Sequence, residues 1–367
     1  MEVLLKSPLP RTAWSPTYPA DAVEIMPNLE DFAVVIGINR YPAIRALVGS
    51  EKDATEFAKW LGDPEGGDLP PENIRLILSS NYEEPIKDFF AKPVKDDIDN
   101  SFIEFGIEEK ERVGRRLYFF FAGHGVAPDF DDVALLMANA SKKRLGCNIG
   151  MRNYRRFFRR AAPFDELVII LDCCREFEDR AEPTYPVFTQ RLVQDRAALV
   201  QEFYIMAAGY GKKAFEPKQG EDRRGLLSKA LIEALKDHKA AVPPTNEITA
   251  ASVAAYLKDR VPELARNATL EQKPEIPSPP DMILVAAAPA PPQYLASTQV
   301  VVDENLGGEV VLRTNELEEI ERRLAAQTPW QLTLEPGVYV LTHLPTNQQR
   351  VIDARKPQEV SNEYRFP

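Results

Sequence analysis

From residue 32 the chain alternates short apolar runs with amphipathic stretches of helical period. "FAVVIGI" (32–38), "IRLILSS" (74–80), "RRLYFFFAG" (115–123), "ELVIILD" (166–172) and "EFYIMAAG" (202–209) are near-continuous apolar runs, the pattern of strands buried on both faces of a sheet. After the first, "SEKDATEFAKWLG" places Ala54, Phe57, Ala58 and Leu61 on one helical face. A second helix is expected around 94–110, and "MRNYRRFFRR" (151–160) reads as a basic helix. "GLLSKALIEALKDH" (225–238) and "TAASVAAYLKDRV" (249–261) predict two more, "VALLMANA" (133–140) a short hairpin element and "DMILVAAA" (281–288) a last strand. Core strands alternating with helices predict an α/β fold whose mostly parallel sheet is covered by helices.

The flanks differ. Residues 1–30 are polar and dotted with proline, the pattern of a surface arm. Residues 274–292 carry seven prolines and read as a stiff linker. Beyond it, "TQVVVDENLGGEVVL" and "TPWQLTLEPGVYVLTHL" show alternating strands with Gly-Gly and Pro-Gly turns. The expected organisation is an arm (1–30), an α/β domain (31–288) and a Pro-rich linker with a small β-rich accessory domain (289–367).

Composition narrows the class. The chain has 367 residues, 44% of them hydrophobic, enough for a sizeable core. A net charge of −11 argues against nucleic acid as a partner. The five arginines of 151–160 read as a solvated helix face, with a docking surface for an acidic partner as the other reading. No apolar run has the length of a membrane span and the N-terminus has no signal-peptide pattern, so no membrane partner and a cytoplasmic location are expected. The three cysteines, Cys147, Cys173 and Cys174, offer no disulfide framework, because adjacent cysteines pair only with strain.

Chemistry concentrates at two strand ends. In an open parallel sheet, ligands bind beyond the carboxyl ends of the strands. The third strand ends in "FFFAGHG", delivering His124, and the fourth in "DCC", delivering Cys173 and Cys174. A cysteine is nucleophilic as its thiolate, and a nearby imidazole can take the proton. Each feature alone has a plain structural explanation, a turn histidine or a small buried thiol. Together on one sheet edge, with His238 at a helix end and His343 in the accessory module, they point to a Cys–His site. Consecutive strand residues face opposite ways, so only one thiol can meet His124.

His124 precedes Cys174 by 50 residues, the caspase separation. With "FAVVIGINRYP", "SEKDATEFAKWL", "YFFFAGHG", "VIILDCCREF", "IMAAGYGKKAFE" and "LEQKPEIP", the sequence over about 31–287 resembles the caspase/metacaspase superfamily in its bacterial caspase-like branch. The resemblance implies a caspase-like fold, a protein substrate and acyl transfer without a cofactor. Cys174 falls at the family's nucleophile position, His124 at its base, and the N–H groups of Gly125 and Cys174 at its oxyanion site; Cys173 is then expected to face the core. No third triad residue is evident. Caspases that cut after Asp use an Arg soon after the first strand and a Gln before the nucleophile; here Leu47 and Asp172 stand there. Asp172 predicts a pocket for Arg or Lys, since an anionic residue would meet a like charge, with a turn cap as the other reading of Asp172. Metacaspases often add an acidic residue soon after the fifth strand; "AAGYGKK" has none, and Glu216 is the substitute candidate.

The long stretch between the fourth and fifth strands holds Arg180, Arg191 and Arg196 as self-cleavage candidates, which suits a zymogen activated in cis, by a protease or by another regulatory partner. Asp129, Asp131 and Asp132 cluster after His124 and raise calcium activation as an option, with no other metal expected. Regulated proteolysis in bacterial defence is the context the resemblance implies. One rival is a catalytically silent scaffold; another is a vicinal-thiol redox or metal site, disfavoured because no set of ligands at metal spacing accompanies the two cysteines.

Overall fold

The structure, a computed structural model, describes residues 28–189, 193–219, 222–286, 296–302, 307–314, 319–327, 329–334, 338–353 and 362–366. Most of the expected N-terminal arm therefore lies outside the described residues. The chain divides into two units, Met1–Ala288 and Pro289–Pro367.

The first unit contains, in order, β1 (Asp31–Gly37), α1 (Ser50–Leu61), β2 (Ile74–Leu78), α2 (Lys95–Glu104), β3 (Gly114–Ala122), β4 (Gly125–Ala127), β5 (Ala134–Leu136), β6 (Asn148–Gly150) and α3 (Met151–Ala161). It continues with β7 (Phe164–Asp172), β8 (Glu176–Phe177), α4 (Gln194–Ala197), β9 (Gln201–Met206), β10 (Lys218–Gln219), β11 (Asp222–Arg223), α5 (Leu226–Leu235), β12 (Ile248–Thr249), α6 (Ala250–Asn267) and β13 (Ile283–Val285). The central sheet runs β2-β1-β3-β7-β9 with every pair parallel.

Strand alternation splits the core in two. Ala33, Val35, Tyr118, Phe120, Val168 and Ile170 pack with Phe57 and Trp60 of α1, Leu231 of α5 and Leu257 of α6. Their neighbours Val34, Ile36, Phe119, Phe121, Ile169 and Leu171 pack on the other face with Ile98 and Phe102 of α2 and Tyr154 and Phe158 of α3. The unbroken apolar runs 32–36 in β1, 117–122 in β3 and 167–171 in β7 follow from this double coverage.

A smaller sheet, β6-β5-β4-β8, lies at the carboxyl end of β3 and β7, where short segments follow His124 and Cys174. The run 281–288 supplies β13, which pairs with β12 instead of extending the central sheet, and the Met282 carbonyl before it accepts from Ala250 N–H at the start of α6. No helix among the described residues is long and apolar enough to cross a membrane.

The second unit contains β14 (Ala296–Val302), β15 (Glu309–Thr314), β16 (Glu319–Leu324), β17 (Trp330–Leu334), β18 (Val338–His343), β19 (Gln348–Asp353) and β20 (Asn362–Phe366). They form a three-stranded sheet, β17-β14-β20, and a four-stranded antiparallel one, β16-β15-β18-β19, around Val310, Leu312, Trp330, Leu341 and Ile352. His343 is buried there, its ring nitrogens against Thr346 Oγ1 and the Gly307 carbonyl.

Candidate active site

Parallel pairing of β3 with β7 sets Ala122 opposite Asp172, so the chain leaves both strands side by side toward His124 and Cys174. Alternation decides where each strand-end residue goes. Leu167, Ile169, Leu171 and Cys173 share the α2/α3 face, and Cys173 is 4% exposed. Val168, Ile170 and then Asp172 turn to the α1/α5 face. Both cysteines line a cavity of about 530 Å³ shared with His124, Gly125 and Asp172, but only Cys174 is partly exposed. Gly125 must lack a side chain: a Cβ there would lie 2.5 Å from Cys173 Sγ and 2.8 Å from the Cys174 carbonyl. That contact sets the Gly125 backbone directly against the cysteine pair.

Burial disfavours the charged form of both members of the Cys–His pair. The Cys174 Sγ donates to the Ala214 carbonyl (3.5 Å) and accepts from the Ala214 N–H (3.4 Å). Burial raises its pKa above the usual thiol value, the Ala214 N–H offsets part of this, and the charges of Glu176 and Asp172 add to the rise. His124 Nε2 lies 2.6 Å from the Arg45 carbonyl. A carbonyl only accepts, so Nε2 carries the hydrogen and the lone pair is left on Nδ1. Burial lowers the His124 pKa, partly offset by the Arg45 carbonyl and the charge of Glu216. Tyr41 holds the residue from behind: its hydroxyl accepts the His124 N–H (2.9 Å) and donates to the Leu136 carbonyl (3.1 Å), with its ring 4.7 Å from the imidazole.

The cavity's inner wall is acidic. Asp172, buried, accepts from the N–H (3.0 Å) and hydroxyl (2.6 Å) of Ser228 in the first turn of α5, where a carboxylate suits the helix dipole. Asp53 of α1, also buried, accepts from Gly225 N–H (2.8 Å) and pairs with Arg224. Burial, then the neighbouring Asp172, pushes the Asp53 pKa up to about 7. Burial likewise raises Asp172, with Ser228 opposing it. Gly225 lies between them, where any Cβ would overlap the Asp172 carboxylate. Glu216 and Leu47 reach the same cavity.

The other expected residues lie elsewhere. Arg180 is exposed and paired with Glu178 (2.6 Å); Arg196, in α4, donates to the Glu111 carbonyl (3.0 Å) and Asp165 (3.3 Å). Arg191 lies outside the described residues. The connection carrying them is anchored by Phe188, whose ring lies 5.3 Å from Phe157, and by Thr184, whose hydroxyl donates to the Asn148 carbonyl at 2.6 Å. Asp129 and Asp131 turn to Arg152, and Asp132 accepts from the N–H groups of Val133 and Arg152. Among the described residues no three His, Cys, Asp or Glu groups are placed to hold a metal ion. The basic helix is not simply a solvated face: Arg155 pairs with Glu202 and lies over the Tyr204 ring at 3.9 Å, and Arg152 is taken by the aspartates.

Sequence reasoning missed Asp53, the Arg45 carbonyl, Tyr41 and Arg224. Asp53 carried a signal, an acidic residue on the otherwise apolar face of the first helix beside Ala54 and Phe57. A backbone carbonyl carries none.

The family described as Caspase domain matches residues 30–281. A probable protease of a Desulfuromonadales bacterium is 27% identical over 215 residues, covering 57% of this chain and 26% of that protein, so the match spans about a quarter of the relative's length. Among solved structures, caspase-1 from Spodoptera frugiperda aligns with a TM-score of 0.43 at 13% identity, over 78% of this chain and 98% of its own. The structure of pro-sf-caspase-1 aligns over the same shares with a TM-score of 0.38 at 12% identity.

Proposed function

The chain belongs to the caspase-domain family, and from that premise we propose that it is a cysteine endopeptidase cutting after arginine or lysine, with Cys174 as nucleophile and His124 as its base. The observation that carries this reading is the meeting on one cavity of a thiol, an imidazole and two buried carboxylates, Asp172 and Asp53.

The Ala214 N–H and carbonyl that hold the thiol at rest are main-chain groups an extended peptide can pair with, and such pairing frees Sγ. The Cys174 proton passes to His124 Nδ1 and the thiolate adds to the scissile carbonyl. The N–H groups of Gly125 and Cys174 hold the oxyanion. The Arg45 carbonyl keeps its hydrogen bond from Nε2–H and stabilises the imidazolium. As the C–N bond breaks, His124 gives its proton to the departing amine. Water then adds to the thioester, giving a proton to His124, which returns it to Sγ as the acid leaves.

Specificity follows from the wall. A guanidinium or ammonium entering beside Asp172 adds a cation to a wall where Asp53 already holds Arg224, whereas an aspartate would bring a third carboxylate to the same space. The zymogen reading extends to the pinned connection between β7 and β9: Arg180, exposed, is the accessible cut, while Arg196 is held within α4. Cytoplasmic defence remains the proposed setting, on the resemblance alone.

Digestion of a peptide library, with cleavage sites mapped by mass spectrometry, tests the reading. Cuts after Arg and Lys are expected, lost in Cys174→Ala, retained in Cys173→Ala and depleted in Asp172→Ala. Cuts chiefly after Asp would overturn the specificity, and cutting by Cys174→Ala would overturn the nucleophile.

A further inference from the structure

Glu216 is the acidic residue after β9 that a basic-specific pocket leads one to seek, yet its bonds run elsewhere. Its Oε2 accepts from Gly49 N–H at 2.8 Å, and both oxygens lie 3.3 Å from Val48 N–H. Gly49 is the N-cap of α1, so the carboxylate sits on the exposed donors at the start of that helix, where a negative charge is favoured. Gly49 itself leaves the room: a Cβ there would lie 3.1 Å from Glu216 Oε2 and 2.8 Å from the Arg223 carbonyl.

What Glu216 grips is the end of the 39–49 segment, and Arg45 is part of it. Asn39 ties the segment to itself, donating from Nδ2 to the Val48 carbonyl (3.0 Å) and accepting at its own carbonyl from Leu47 N–H (2.9 Å). Glu216 fastens the C-terminal end of this segment to the loop following β9, while Ser79 Oγ takes the N–H groups of Asn39 and Arg40 and Tyr41 donates to the Leu136 carbonyl at the other end. The Arg45 carbonyl in turn takes the Nε2–H of His124. The path from Glu216 to the imidazole thus runs by hydrogen bonds to Gly49 and Val48, then along the main chain from Val48 to Arg45, whose carbonyl meets His124.

We propose that Glu216 is a positioning residue, which fixes the 39–49 segment so that the Arg45 carbonyl holds His124 in its Nε2–H tautomer, and not an acid that binds the substrate's basic side chain. The inference rests on the Cys174–His124 reading. It assigns affinity to Asp172 and Asp53, and turnover to Glu216.

Steady-state kinetics on Arg- and Lys-ending peptides separates the two roles. Glu216→Ala is expected to lower kcat about 100-fold, the scale of a misplacement of about 1 Å, with KM within about threefold of wild type and the same loss for both peptides. Glu216→Gln keeps a carbonyl acceptor for Gly49 N–H and is expected to recover kcat to within about fivefold of wild type, again at unchanged KM. Asp172→Asn gives the opposite split, a raised KM. A raised KM with preserved kcat in either Glu216 variant would make it a pocket acid and overturn the proposal, and the glutamine variant decides this even if the alanine variant does not fold.

Alkylation of Cys174 by iodoacetamide needs no peptide. It is expected to slow about tenfold in Glu216→Ala at neutral pH through misplacement of His124, and an unchanged rate would refute the proposal. If wild type cleaves no basic peptide while alkylation still depends on Glu216, the specificity reading fails and the positioning role stands.

Discussion

Cys173 and Cys174 are one peptide unit apart and meet different surroundings. Cys173 continues the Leu167–Ile169–Leu171 row into the α2/α3 core, and burial raises its pKa well above the usual thiol range. Cys173→Ala is expected to keep full peptide cleavage and to lose about 1 kcal/mol of stability by denaturant unfolding, the scale for a small buried truncation. Asp53 sets a pH dependence whose two signs oppose. With its pKa near 7, it is mostly protonated at pH 6 and mostly charged at pH 8. KM for an Arg peptide is therefore expected to fall across that interval, and to fall less in Asp53→Asn. Stability runs the other way. A carboxyl whose folded pKa is raised binds its proton more tightly in the folded state, so its contribution is complete below the ordinary value of 3.8 and is lost as pH rises through about 7. Melting temperatures at pH 5 and pH 8 should converge in Asp53→Asn relative to wild type.

At the scale of elements, the site is built by two strand ends facing two helix starts. β3 and β7 deliver His124 and Cys174, while the first turns of α1 and α5 receive Glu216 and Asp172. Gly225 lets α5 approach, so Gly225→Ala is expected to displace Asp172, raise KM for basic peptides at least tenfold and lower the melting temperature. The connection between β7 and β9 hangs on Phe188, which is 6% exposed. Phe188→Ala is expected to cost about 3 kcal/mol and to make residues 178–189 an early target in limited proteolysis. The central strands were legible because a doubly covered sheet demands unbroken apolar runs, and the strand ends bearing His124, Asp172 and Cys174 were legible with them. The small β6-β5-β4-β8 sheet was largely not, since its strands are two or three residues long and leave no periodicity. The Arg45 carbonyl and the Glu216 contact with Gly49 arise only when distant segments meet, through backbone atoms that every residue type possesses.

Across the whole molecule, the two units have separate cores, one divided by the central sheet and one around Trp330 and Leu341. Calorimetry is expected to show two transitions, and Trp330→Ala to lower only one of them. In the first unit, the sheet delivers a thiol and an imidazole to one cavity, for which we propose a basic side chain as the occupant. The most direct measurement is covalent trapping by an Arg-bearing acyloxymethyl ketone, read by intact mass and peptide mapping, beside the Asp-bearing analogue. The account predicts one adduct, on Cys174, formed with the Arg reagent and not with the Asp reagent, and absent from His124→Ala under the same conditions. Modification of Cys173, or equal reaction with both reagents, would contradict it.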